Sequence, residues 1–242
     1  MKVRLFVLLV LFAASVSFAA NPQVTLQVSG AVSGTIVLEI YADTAPVTAA
    51  NFINYVQSDF YNGLIFHRVV NDAAFKVIQG GGFDTELAYK TPGPKIINES
   101  SNRLSNIRGT IAMPRDYPAD SATSQFFINV IDNTFLNYGA ITADLYSGRP
   151  YTQVGYCVFG AVTSGMNVVD AIAALPTSTQ NGMTNVPVND VIIQSAAVTF
   201  IAPVCSEKLD GDIDGDCDVD FADFSGLAEN WLQCNSITAT CD

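Results

Sequence analysis

Val24-Thr25-Leu26-Gln27-Val28, a turn at 29–34 and Ile36-Val37-Leu38-Glu39-Ile40 read as two runs of alternating side chains joined by a Gly- and Ser-containing link. A period of two predicts a β-hairpin with one buried face. The pattern then changes. Thr44 is a candidate helix cap, Pro46 stands in the first turn where its missing N–H costs nothing, and Ala49, Phe52, Ile53 and Val56 recur at helical spacing. Asn62-Gly63 marks a turn, after which short apolar runs follow at 64–70, 77–79, 110–113, 126–130 and 156–160; these predict strands. A second helix is expected over 166–174 and a closing strand over 191–200. The polar stretches 85–106 and 137–153, rich in Gly, Pro, Asn and Ser, are expected to be surface loops. Many short strands with two helices predict a mainly β fold, a closed barrel with helical caps.

Composition narrows the function. The 242 residues are 49% hydrophobic and 14% charged, with 11 Lys and Arg against 23 Asp and Glu, a net charge of −12. That is a globular composition, and its excess of acid excludes nucleic acid as a partner, since a phosphate backbone needs clustered Lys and Arg. The single histidine, His67, excludes any zinc site with two imidazoles and leaves a hydrolytic triad one base, with no nucleophile elbow in sight.

The charge is unevenly spread: residues 205–242 hold ten acids and one base, leaving −3 for the other 204 residues. This predicts a domain boundary after the apolar run that ends at Val204. At the other end, Lys2 and Arg4 precede an apolar run from Leu5 to Ala14, then Ser17-Phe18-Ala19. Residues 1–19 therefore read as a secretory signal peptide, too short in its apolar part to span a bilayer. No later run is long enough to span either, so the expected location is secreted, periplasmic or cell-surface. Cys157 lies alone in an apolar run and reads as a buried small side chain, whereas Cys205, Cys217, Cys234 and Cys241 fall together in the acidic tail, where disulfides suit a short exported module; three pairings are open.

Five motifs follow in order: Phe66-His67-Arg68-Val69, Gln79-Gly80-Gly81-Gly82-Phe83, Gly109-Thr110-Ile111-Ala112-Met113, Ser124-Gln125-Phe126-Phe127-Ile128-Asn129 and Val158-Phe159-Gly160. Together they resemble the cyclophilin family of peptidyl-prolyl cis-trans isomerases over about residues 23–200. The resemblance implies an eight-stranded β-barrel with two capping helices, proline-containing polypeptides as substrates, and no cofactor for catalysis. It further implies Arg68 as the catalytic residue, Phe75, Met113, Phe127 and Leu136 around the proline ring, and Gln79 and Gln125 on the peptide backbone. An arginine between Ile65-Phe66 and Val69-Val70 would bury a lone guanidinium, which favours a functional or networked role. Relative to the family, the link from Arg68 to Gln79 carries about three extra residues, near 71–74, which leaves Phe75, Lys76 and Val77 as alternatives for one pocket position. Phe135 replaces a tryptophan and Tyr156 a histidine found in some members. The insertion also motivates a second reading, a non-catalytic proline-peptide binding module or cell-surface scaffold.

In the tail, Asp212, Asp214, Asp216, Asp218, Asp220 and Asp223 fall at positions 1, 3, 5, 7, 9 and 12 of a twelve-residue loop, the ligand spacing of an EF-hand calcium site. Calcium is the expected ion, because hard oxygen donors in a flexible loop suit it. Phe221, Phe224, Leu227, Trp231 and Leu232 give an apolar helical stripe after the loop. The module, 205–242, resembles one half of a dockerin repeat, with Cys217 where the loop glycine usually stands. That resemblance implies a protein partner for it.

Overall fold

The computed structural model describes residues 21–143, 150–152 and 154–199. The expected leader over 1–19, the acidic module with its six aspartates, and Cys205, Cys217, Cys234 and Cys241 lie outside the described residues. The chain divides into two units, one of which is residues 21–200.

Strands β1 (Gln23–Gly30) and β2 (Gly34–Ile40) form the expected hairpin, and Val24, Leu26, Val28, Ile36, Leu38 and Ile40 all point inward. Then come β3 (Arg68–Asn71), β4 (Lys76–Gly80), β5 (Thr110–Ala112), β6 (Phe126–Asn129), β7 (Ile141–Ala143), β8 (Pro150–Thr152), β9 (Val158–Ser164), β10 (Thr177–Gln180), β11 (Met183–Pro187) and β12 (Val191–Thr199). Eight of these make one curled antiparallel sheet in the order β12-β1-β2-β9-β5-β6-β4-β3. The ring is completed without a full ladder between its two edges. The segment leading into β3 meets β12 through the isolated bridge Ile65–Ile192, with Gly63 N donating to Ile193 O, Ile193 N to Leu64 O, and Phe66 N to Val191 O.

Helix α1 (Pro46–Gln57) lies against β12 and β9, and α2 (Met166–Ala173) against β2, β3 and β4. Phe52 of α1 enters the barrel, its ring 5.4 Å from Tyr61, 5.5 Å from Phe126 and 5.2 Å from Phe159. Thr44 does not cap α1. Ala45 occupies the cap position with no side-chain bond, and the carboxylate of Glu99, 52 residues away, accepts from Val47 N at 3.1 Å and Thr48 N at 2.8 Å. A carboxylate complements the positive helix end better than a hydroxyl does, so this distant residue takes the cap.

Two expected loops contain structure. The stretch 85–106 carries a 3-10 turn at Ser100–Asn102 and a bridge from Ile96 to Ala122, while 137–153 includes the two strands of the β7–β8 hairpin. The β10–β11 hairpin, whose outer strand is exposed and polar, has no sequence counterpart among the expectations.

The core is double. Inside the curled sheet lies one large cluster, including Leu26, Leu38, Phe52, Phe66, Ile78, Ile111, Phe126 and Phe159; on the outer face lies a second made of Val77, Ala112, Phe127, Leu136 and Val158. Strands β5 and β6 are therefore buried on both faces, and β4 nearly so.

Candidate active site

The outer cluster is the floor of a groove of about 300 Å³ lined by Arg68, Phe75, Val77, Gln79, Pro114, Arg115, Phe127, Phe135, Leu136 and Tyr156. Strand parity explains its membership. On β4, Val77 and Gln79 face the groove and Ile78 the barrel interior; on β6, Phe127 faces out between the inward Phe126 and Ile128. The insertion is absorbed by a tight turn. Asn71 pairs with Lys76, Asp72 and Phe75 exchange backbone hydrogen bonds, and Asp72 Oδ1 accepts from Ala74 N. That turn keeps Phe75 on the face of Val77 and Gln79, so Phe75 and Val77 line the groove and Lys76 does not.

Arg68 and Gln79 are direct cross-strand partners, and Arg68 Nη1 donates to Gln79 Oε1 at 3.1 Å. Gln79 Nε2 donates in turn to Gln125 Oε1 at 2.8 Å. The guanidinium carbon lies 6.0 Å from the centroid of the Phe75 ring, which stacks edge-on against Phe135 across the groove at 5.6 Å. Arg68 is thus held on one side by a carboxamide relay and on the other by an aromatic wall. Partial burial lowers its pKa from the ordinary arginine value, yet a guanidinium stays charged.

Gly82 makes room for this relay, and Gly81 for the core beside it. Gly81 has φ +83°, and a Cβ there would meet the Tyr61 ring at 2.9 Å and Ser124 O at 3.0 Å; a Cβ on Gly82 would sit 2.8 Å from Gln125 Cγ. Larger residues at 82 would push Gln125 off Gln79.

Of the residues expected at the site, Arg68, Phe75, Gln79, Phe127 and Leu136 line the groove. Gln125 lies next door, in a polar depression of about 220 Å³ that shares Gln79, Pro114 and Arg115 with it. Met113 does not line the groove. It is 2% exposed and belongs to the interior cluster with Ile111, whereas Ala112 belongs to the outer one; Pro114, the residue after Met113, lines the groove instead. Arg115 is a groove residue that the sequence motifs do not include. Its guanidinium lies 4.9 Å from the Tyr156 ring and Nε donates to Gly155 O at 2.9 Å, so it braces the groove wall rather than floating in solvent. Its one signal in the sequence is its place two residues past Met113, at the end of a motif.

His67 is 4% exposed, packs 4.7 Å from the Phe83 ring and leaves Nδ1 without a partner. Burial pushes its pKa down to about 4, against the opposing pull of polar contacts with the Ile65 backbone and Gln125. The imidazole is buried and neutral, and it does not line the groove. Cys157 is buried and free, with its thiol pushed up to about 11 by burial. Among the described residues, no cluster of His, Cys, Asp and Glu is arranged to hold a metal, and no helix is long and apolar enough to cross a membrane.

The groove sets an apolar floor beside the Arg68 cation. Residues 23–198 match the family model for cyclophilin type peptidyl-prolyl cis-trans isomerase. The chain is 49% identical over 168 residues to a peptidyl-prolyl cis-trans isomerase of Acinetobacter baylyi, covering 69% of this chain and 82% of that protein. It is 45% identical over 166 residues to peptidyl-prolyl cis-trans isomerase B of Escherichia coli, covering 69% and 94%. A crystal structure of a cyclophilin type isomerase from Cryptosporidium parvum superposes with a TM-score of 0.56 at 20% identity, over 74% of this chain and 98% of that one, and supports the fold.

Proposed function

The chain belongs to the cyclophilin-type peptidyl-prolyl cis-trans isomerases, and from that premise we propose that Arg68 catalyses X–Pro rotation in the groove and that the enzyme assists the folding of exported proteins. The amide resists rotation by about 18–20 kcal/mol because its nitrogen shares its lone pair with the carbonyl. Twisting the bond localises that lone pair. A guanidinium N–H aimed at the nitrogen stabilises the twisted state more than the planar one, which is the condition for catalysis. Gln79 engages one of the five Arg68 donors at 3.1 Å and fixes the plane of the rest. Phe127, Leu136 and Val77 hold the pyrrolidine ring while the carbonyl side turns, and Gln79 and Gln125 offer polar groups to the peptide backbone.

The observation that carries this reading is the Arg68–Gln79–Gln125 relay beside an apolar floor. The inserted residues sit in the β3–β4 turn, beyond the Arg68–Gln79 pair, so the motive for a non-catalytic binding module is weakened. A protease-coupled assay with a short X–Pro peptide tests the proposal: wild type turns over and Arg68→Ala, folded by circular dichroism, does not. Turnover equal to wild type in Arg68→Ala would falsify it.

Export and the acidic tail belong to the same reading. Its support is the run 5–14 behind Lys2 and Arg4, and the six aspartates at calcium-loop spacing. The tail then serves as a calcium-stabilised attachment unit for a protein partner. Calorimetric titration of the mature protein with calcium is expected to show one site that Asp212→Ala weakens; a flat titration returns the segment to a plain acidic tail.

A further inference from the structure

Beneath the groove lies a chain of buried carboxamides that the chemistry above does not use. Asn106, Asn129 and Asn133 are each 0% exposed. Asn129 Nδ2 donates to Thr110 Oγ1 at 2.9 Å and to Asn106 Oδ1 at 3.2 Å. Asn133 Nδ2 donates to Asn129 Oδ1 at 2.8 Å and to Lys76 O at 3.0 Å. Asn106 Nδ2 reaches Tyr156 O at 3.2 Å, while Asn137 Oδ1, at the outer end of the cluster, accepts from Asn106 N at 2.7 Å and Nδ2 at 3.3 Å.

Several of these bonds end on elements that carry groove walls. Lys76 O belongs to β4, which bears Val77; Asn129 belongs to β6, two residues from Phe127. Asn133 opens the 3-10 turn of Thr134–Leu136, and its carbonyl accepts from Leu136 N at 2.9 Å. Tyr156 closes the far side, with N donating to Leu136 O at 3.0 Å. Stability does not account for the arrangement. Asn133 Oδ1 is buried with no hydrogen-bond partner, and a buried network with an unmet acceptor is less favourable than an apolar filling of the same shape. What the carboxamides supply and apolar side chains cannot is fixed direction.

We propose that Asn106, Asn129 and Asn133 form a positioning unit that sets the spacing of the Phe127, Leu136 and Tyr156 walls for the proline ring, an inference that rests on the groove being the proline site. None of the three reaches the groove surface; they act through the walls.

The test is steady-state isomerisation by the full chain, with each variant assayed at the same interval below its own Tm. Asn133→Ala is expected to lower kcat/KM on the order of tenfold, chiefly through KM, because small displacements of positioning groups weaken complementarity to the bound ring. Leu26→Ala, buried in β1 far along the sheet, is the control for lost stability and is expected to keep the wild-type KM. Equal KM in the two variants overturns the proposal. Should Asn133→Ala fail to fold, Asn137 decides: Asn137→Ala removes the acceptor that Asn106 uses and is expected to raise KM, whereas Asn137→Asp keeps that acceptor and restores the wild-type KM. Identical KM for both Asn137 variants and wild type overturns the proposal as well. Arg68→Ala in the same series separates the two levels. If it retains turnover, the groove assignment itself falls; if it loses turnover while the asparagine variants keep their KM, only the positioning unit falls.

Discussion

The two halves of the curled sheet are built on different rules. Strands β12, β1 and β2 are seven to nine residues long and set long ladders, that of β1 and β12 with one register shift at Gln27/Val28; they bury one face, with Thr25, Gln27 or Glu39 on the other. Strands β3 to β6 are three to five residues long, and β5 and β6 bury every residue they contain. The first half gains its stability from length and alternation. The second gives up length, packs a second apolar cluster on its outer face, and carries the groove. The long strands and the groove thus lie in different parts of the sheet.

The sharpest way to break this comparison is to weaken the regular half. Ile36→Ala removes a 0% exposed side chain from β2 and is expected to cost about 2–5 kcal/mol by loss of burial and creation of a cavity, read by denaturant unfolding. Activity per folded molecule should stay at the wild-type value, and a parallel fall in kcat/KM would show that the halves are not separable.

The next effect belongs to the groove half and is read through pH. His67 titrates near 4 when folded and near 6.5 when unfolded, so between those values the unfolded chain binds the extra proton and stability falls as pH falls. The full effect is about 3 kcal/mol, since each tenfold loss of proton affinity on folding is worth roughly 1.4 kcal/mol. His67→Gln is expected to flatten that part of the stability profile relative to wild type, with turnover at neutral pH retained; profiles of equal slope would remove His67 from the account.

The smallest effect lies at the helix cap. Glu99→Ala frees Val47 N and Thr48 N and is expected to lower stability by about 1 kcal/mol, a few degrees in Tm, without changing KM. A larger loss, or one confined to KM, would tie the 85–106 stretch to the groove.

The same contrast decides what could be read from the sequence. Alternation announces β1 and β2 because one face meets water. In β5 and β6 both faces are apolar, so Phe126-Phe127-Ile128 reads as a plain core run, and Phe127 emerges as a groove residue only through the family motif. Met113 comes from that motif too, and its place in the fold is different: it is buried with Ile111 in the interior cluster, and the following Pro114 lines the groove. Phe75 is ambiguous in the sequence because an insertion changes the count of residues; the compact turn at Asp72–Phe75 restores the parity. Glu99 could not have been found as a cap, since nothing local links it to a helix that starts more than fifty residues earlier in the chain. The buried asparagines carry no periodic signal at all, and their meaning appears only when four separate segments are brought together.

The closure of the ring by the Ile65–Ile192 bridge has a consequence for motion. A barrel with a continuous ladder all round has no preferred place to open, whereas this one has a seam, and the seam lies three residues ahead of Arg68. Amide hydrogen exchange is expected to record it: Gly63, Phe66 and Ile193, which donate across the junction, exchange by local opening sooner than the amides of the β1–β2 ladder. Exchange at those three amides ahead of the β1–β2 ladder would place a local opening within three residues of Arg68, the cation proposed for the twisted amide.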